Sequence, residues 1–86
     1  MIIRNETAGR FEARIGGQLA VAEYRIEDRR MIFTRTFVPP ELRGRGIAEK
    51  LVRAGFAAAR AEGLAIVPEC GYVARLLERH PEFQKP

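Results

Sequence analysis

Apolar and polar positions alternate with period two through the first half of this chain and take a helical period in the second half. Ile2 to Glu6 has the composition to begin a strand. Arg10-Phe11-Glu12-Ala13-Arg14-Ile15 alternates polar and apolar residues, as a strand with one buried face does. Gly16-Gly17 is a hairpin turn signal, and Gln18 to Ile26 follows as the return strand. Glu27-Asp28-Arg29-Arg30 reads as a charged turn. Met31 to Val38, rich in β-branched and aromatic residues, predicts a long strand. Pro39-Pro40 ends it, because proline has no N–H to give to a ladder.

From Arg43 to Glu62 the period changes. Ile47, Leu51, Val52, Gly55, Ala58 and Ala59 share one helical face, while Glu49, Lys50, Arg53 and Arg60 lie mostly elsewhere. Gly63 is placed to cap the C-terminus. Leu64-Ala65-Ile66-Val67 is a short apolar run before Pro68, which predicts a central strand buried on both faces. Gly71 to His80 forms a second amphipathic pattern through Val73, Leu76 and Leu77, stopped by Pro81. The predicted order is β-β-β-β-α-β-α, an α/β (α+β) chain. A right-handed crossover then sets the fourth and fifth strands parallel in an otherwise antiparallel sheet. No repeat, linker or low-complexity segment divides the chain, so residues 1–86 are read as a single domain with one modest core.

Composition excludes several classes. No apolar run approaches the roughly 20 residues of a membrane span, and no signal-peptide pattern opens the chain. The one cysteine has no intramolecular partner, which makes the cytoplasm the expected compartment. One histidine and one cysteine supply no metal-ligand cluster. The net charge of +4 suits an anionic partner, either a phosphorylated small molecule or nucleic acid. The arginines, however, are scattered rather than gathered into a stripe with interleaved aromatics, which argues against nucleic acid.

Candidate chemistry concentrates between the prolines and the first helix. Gly44 and Gly46 remove side chains at a helix start, where backbone N–H groups lack partners and the helix dipole is positive. Arg43 and Arg45 add charge and forked donors. The physics is that of a pyrophosphate cradle, against the plainer reading of a tight strand-to-helix turn. A P-loop is excluded, since no Gly-Lys-Ser/Thr follows the glycines.

Arg43-Gly44-Arg45-Gly46-Ile47-Ala48 resembles the Gln/Arg-x-x-Gly-x-Gly/Ala coenzyme A signature of the GCN5-related N-acetyltransferases, with Arg43, Gly46 and Ala48 at its defining positions. Val67-Pro68-Glu69-Cys70-Gly71-Tyr72-Val73 and Arg79-His80-Pro81-Glu82-Phe83 resemble motifs of a small, one-domain group within that family. The resemblance spans nearly the whole chain. It implies a minimal version of the acetyltransferase fold, with the fourth and fifth strands splayed around the cofactor. It implies acetyl-coenzyme A or coenzyme A as cofactor, held by Phe37, Val38, Arg43, Gly44, Arg45, Gly46, Ile47 and Ala48. The reaction implied is acetyl transfer to a small-molecule, peptide or protein amine, with no membrane involved.

Cys70 and Tyr72 are the candidate catalytic residues. The resemblance sets Cys70 close to the thioester sulfur, as proton donor, acyl carrier or mixed-disulfide partner. The alternative is a small residue filling space. Tyr72 has a phenol proton to donate and a ring to pack. His80, beside Pro81, reads as a helix-terminal residue, where positive charge is favourable. One departure from the group pattern stands out. Where the group carries a His-Thr-Glu-Val run, this chain has Arg35-Thr36-Phe37-Val38. Arginine stays protonated and cannot act as a general base. A coenzyme A-binding protein with little or no transferase activity is therefore the alternative function.

Overall fold

Five strands form one sheet in the order in which they occur in the chain. The computed structural model describes residues 1–84. β1 (Ile2–Asn5), β2 (Arg10–Ile15), β3 (Gln18–Glu27) and β4 (Arg30–Phe37) make an antiparallel meander, and β5 (Ala65–Pro68) joins β4 in parallel. The helices are α1 (Ile47–Ala61) and α2 (Gly71–Arg79). Single 3-10 turns at Pro40–Leu42 and Pro81–Phe83 precede α1 and follow α2. The β-β-β-β-α-β-α order and the parallel β4/β5 pair are as the sequence predicts.

Both two-residue hairpins use left-handed turn residues. Gly16 and Gly17 have φ of 58° and 79°, and Asp28 and Arg29 have φ of 50° and 62°. Positive φ at both central positions gives the twist that matches flanking strands.

All the buried helical side chains go to one face of the sheet. Phe11, Ala20, Ala22, Met31 and Phe33 from the strands meet Leu51, Val52, Phe56 and Ala59 of α1 and Val73 and Leu76 of α2 in one cluster. The alternate strand positions, including Arg14, Glu23 and Arg35, point to the opposite face. There charge is paired along and across strands, Arg10 with Glu12 and Arg35 with Glu23. A staple ties β1 to the C-terminal end of α1. Arg4 lies 5.5 Å from the Phe11 ring centroid and 5.4 Å from that of Tyr24, donates to the Tyr24 hydroxyl at 2.9 Å, and forks onto Glu62. That hydrogen bond holds the Glu62 carboxyl below its ordinary 4.5. A depressed folded pKa stabilises above the unfolded value, and the contribution is lost as pH falls through the folded one. Stability of Arg4→Met, followed by urea unfolding, should therefore depend less steeply on pH below about 4.5 than the wild type.

Two boundaries differ from the sequence reading. The helix expected from Arg43 starts at Ile47, because Gly44 and Gly46 take φ of 83° and 74°, incompatible with a right-handed helix. Its far end closes as expected: Gly63 has φ of 70° and donates to Arg60 at 3.2 Å, and Leu64 donates to Ala59 at 2.8 Å, the Schellman arrangement. β5 is not the doubly buried central strand expected from its apolar run. It is an edge strand of four residues, exposed or half-buried throughout. Pro68 suits that edge, since it has no N–H for a further strand.

Candidate functional site

The sheet opens where β4 outruns β5. Pairing between them stops at Phe33 and Pro68, and the Phe33 carbonyl accepts the last bonds, from Glu69 and Cys70 N–H at 3.1 and 3.0 Å. β4 continues alone through Thr34 to Phe37, so the two strands splay. A bulge sits at the start of this free segment. Tyr24 of β3 pairs with Phe33 and Glu23 with Arg35, leaving Thr34 as the extra residue. The bulge shifts the alternation by one. Thr36, opposite the buried Ala22, is thereby turned to the helix-covered face, and Arg35 is turned away.

Beside the splay lies a cavity of about 410 Å³, within the range of small-molecule sites. Its lining includes Phe37, Val38, Arg43, Gly44, Gly46, Ile47, Ala48 and Tyr72, eight of the ten residues singled out in the sequence. The N–H groups of Gly44 through Glu49 find no acceptor among the described residues; the first bond of the helix is Lys50 N–H to Gly46 carbonyl at 3.2 Å. Six donors in succession are therefore without acceptors among the described residues at the positive end of a 15-residue helix. Arg43 also braces the loop, its Nε donating to the Val38 carbonyl at 2.9 Å.

The remaining two candidates lie just outside the lining. Arg45 reaches back to the Glu41 carbonyl at 3.4 Å. Cys70 caps α2, its Sγ 3.7 Å from the Thr36 hydroxyl that lines the cavity. Burial pushes the Cys70 thiol up, but the N–H of Val73, the Thr36 hydroxyl and the N–H groups of Tyr72 and Thr36 outweigh it. The net pKa is below the ordinary thiol value. Burial and then the Glu49 charge push the Tyr72 phenol up, against smaller opposing effects of Arg79 and Arg75.

Thr36, Leu42 and Glu49 line the cavity as well, and sequence reasoning did not include them. Thr36 needed the bulge, which has no sequence signal here. Leu42 carried no chemical signal, and Glu49 read as an ordinary acid in a first helical turn. Arg35 is absent from the lining. Its guanidinium sits 3.4 Å from Glu23 and 5.1 Å from the Phe37 ring centroid, on the far side of the sheet. The missing imidazole thus bears less directly on this cavity than the motif comparison implies. Among the described residues no group of three metal-ligating side chains occurs, and no helix is long and apolar enough to cross a membrane.

A strand, a run of N–H groups without acceptors and a splayed parallel pair are the parts that the motif resemblance leads one to seek. A family model described as GCN5-related N-acetyl-transferase matches residues 10–85. The chain belongs to the GCN5-related N-acetyltransferase family. This acetyltransferase is similar to a solved solution structure from Staphylococcus aureus, described as a "GCN5-like putative N-acetyltransferase". The two share 28% sequence identity and superpose with a TM-score of 0.76, over 98% of this chain and 83% of that one. The acetyltransferase fold is thus supported by sequence pattern and by shape. The five-stranded mixed sheet with its parallel β4/β5 pair belongs to it.

Proposed function

We propose that this protein transfers an acetyl group from acetyl-coenzyme A to an amine, with the cofactor's diphosphate at Gly44–Glu49 and its thiol end at the splay. The observation that carries the reading is the row of six N–H groups without acceptors, opening onto a cavity beside the unpaired end of β4. Anions bind at such helix starts because several donors and the dipole act together. Gly44 and Gly46 have positive φ, and a β-carbon built at either meets no atom within 4 Å, so there is open space beside the loop. Acetyl-coenzyme A, when bound, would supply the thioester, whose carbonyl is activated towards attack by an amine, with coenzyme A leaving as the free thiol.

The chain's own residues have distinct tasks. The Gly44–Glu49 backbone and Arg43 bind and orient the diphosphate. The unpaired edge of Thr34–Phe37 offers backbone donors and acceptors to an extended amide chain, much as an additional strand would be received. Tyr72 in the cavity lining and Cys70 beside Thr36 bring a phenol and a thiol to the site. Tyr72, with its raised pKa, keeps its phenol proton and suits protonation of a leaving thiolate. Cys70, with its lowered pKa, suits acceptance of a proton or of an acyl group.

Cys70 is therefore expected to react faster with an alkylating reagent at neutral pH than a free thiol does, and coenzyme A should protect it. Rates measured against pH, with and without coenzyme A, check this. A rate at or below the free-thiol rate and indifferent to coenzyme A makes Cys70 a packing residue.

A second reading, coenzyme A binding with little turnover, is favoured by one observation: no imidazole lines the cavity. Amine-dependent release of free thiol from acetyl-coenzyme A, assayed over a panel of small amines and peptides, separates the two. Release at the no-amine background, with coenzyme A bound, selects the second.

A further inference from the structure

Glu49 does two opposed things. Its N–H belongs to the run of free donors, while its carboxylate is the one acidic group lining the cavity among the described residues. The carboxylate suits the helix, whose N-terminus is positive, but repels any anion bound at the same turn. Two basic side chains stand against it. Arg53 Nη1 is 3.6 Å from Glu49 Oε2, one helical turn along, and His80 Nε2 is 3.9 Å away.

His80 is held in place by its own turn. Its N–H donates to the Leu77 carbonyl at 3.1 Å, and its carbonyl accepts from Phe83 N–H at 3.1 Å. The imidazole is less exposed than either of its partners, 22% against 40% for Glu49 and 51% for Glu82. The charged groups around it are Glu49 and, through Glu49, Arg53 from α1; Arg79 in the last turn of α2; and Glu82, 3.6 Å from Nδ1, in the turn that follows. Arginine keeps its charge at any accessible pH, whereas histidine ordinarily gains and loses its charge near neutrality.

We propose that His80 is a positioning residue that tunes how tightly coenzyme A is held, by compensating the Glu49 carboxylate at the edge of the diphosphate site. The inference rests on the reading that coenzyme A occupies this cavity. With the imidazolium in place, Glu49 is screened on two sides and the bound anion meets a more positive helix start. With neutral imidazole only Arg53 screens it, and affinity falls as pH rises. Glu49 and Tyr72 line the same cavity, and after burial the Glu49 charge helps to raise the Tyr72 phenol.

The test is coenzyme A affinity by titration calorimetry at pH 5.5 and pH 8 for wild type, His80→Gln, His80→Lys, Glu49→Gln and the Glu49→Gln/His80→Gln pair. Ionisation of the ligand's own phosphates is common to all variants at a given pH, so ratios between variants cancel it. At pH 5.5 His80→Gln should bind roughly three- to ten-fold more weakly than wild type, the scale of one unit charge at partly solvated range. At pH 8 the two should agree. His80→Lys, charged at both values, should exceed wild type at pH 8 by a similar factor. With Glu49→Gln as background, His80→Gln should change nothing. An equal loss at both pH values would make His80 a purely structural cap, and a loss at pH 5.5 that persists without Glu49 would mean that His80 acts on the anion directly; either result would overturn the inference. Wild type that binds no coenzyme A at either pH would instead overturn the cofactor reading on which it rests.

Discussion

Coenzyme A is expected to raise the melting temperature of the wild type, and replacing Gly46 with glutamate to abolish that rise. A ligand at about 100 times its dissociation constant adds roughly 2.7 kcal/mol. For a domain of this size that amounts to a rise on the order of 10 °C or more. Gly46 stands at the N-cap of α1 with φ of 74° and ψ of 15°, and its N–H is one of the free donors. A β-carbon built there meets no atom within 4 Å, so no packing is lost. The backbone strain of a side chain in the left-handed region costs about 1–2 kcal/mol. What the substitution adds is a carboxylate at the mouth of the anion site. Gly46→Asn is the control, because asparagine tolerates that backbone region and carries no charge. It should keep most of the shift. A full coenzyme A shift in Gly46→Glu would remove the diphosphate from this loop.

The second large effect is on stability. Gly55→Ala should destabilise the protein by about 1–3 kcal/mol although alanine is the better helix former. Gly55 sits in the middle of α1 where the helix crosses the sheet. A β-carbon there would lie 2.6 and 2.8 Å from two atoms of the Phe33 ring and 3.3 Å from Phe11. Phe33 has little room to withdraw, since it is fully buried and stands edge-on to Phe56, ring centroids 5.5 Å apart. The close approach also fixes β4, whose free end forms one wall of the cavity. Chemical denaturation gives the stability change, and a coenzyme A titration of the folded variant shows how far the wall has moved. A more stable Gly55→Ala would mean that the helix–sheet spacing yields easily.

Gly55 illustrates where sequence reasoning stops. The helical periodicity places it on the buried face, but only the ring atoms across the interface show why nothing larger fits. Strand alternation at Arg10–Ile15 and the Gly16-Gly17 turn are local signals, and they gave the meander correctly. The first helix was set four residues early because its apolar period gives no warning of two left-handed glycines. β5 reads as buried because apolar runs do not distinguish an edge from a centre; which strand lies outermost depends on the whole topology. The largest loss concerns Thr36 and Arg35. Strict alternation from Phe33 would turn Arg35 toward the helices, and one extra residue at Thr34 reverses that. The glycine-rich loop, by contrast, was legible because backbone donors need only glycine and a helix start.

The sheet's strand order equals its chain order, which has a kinetic consequence. Every antiparallel pairing joins sequence neighbours through a short turn, so the meander assembles from local contacts with little loop closure. The β4–β5 pairing is different. It must wait until residues 38–64 have been gathered, because the chain leaves β4, passes through α1 and returns. That late-closing seam is the one that splays open at the cavity. The pairing with the longest loop to close is thus the one beside which β4 keeps an unpaired end. Amide exchange at Ala65, Ile66 and Val67 should consequently report opening events confined to this seam, with the β1–β4 meander still intact.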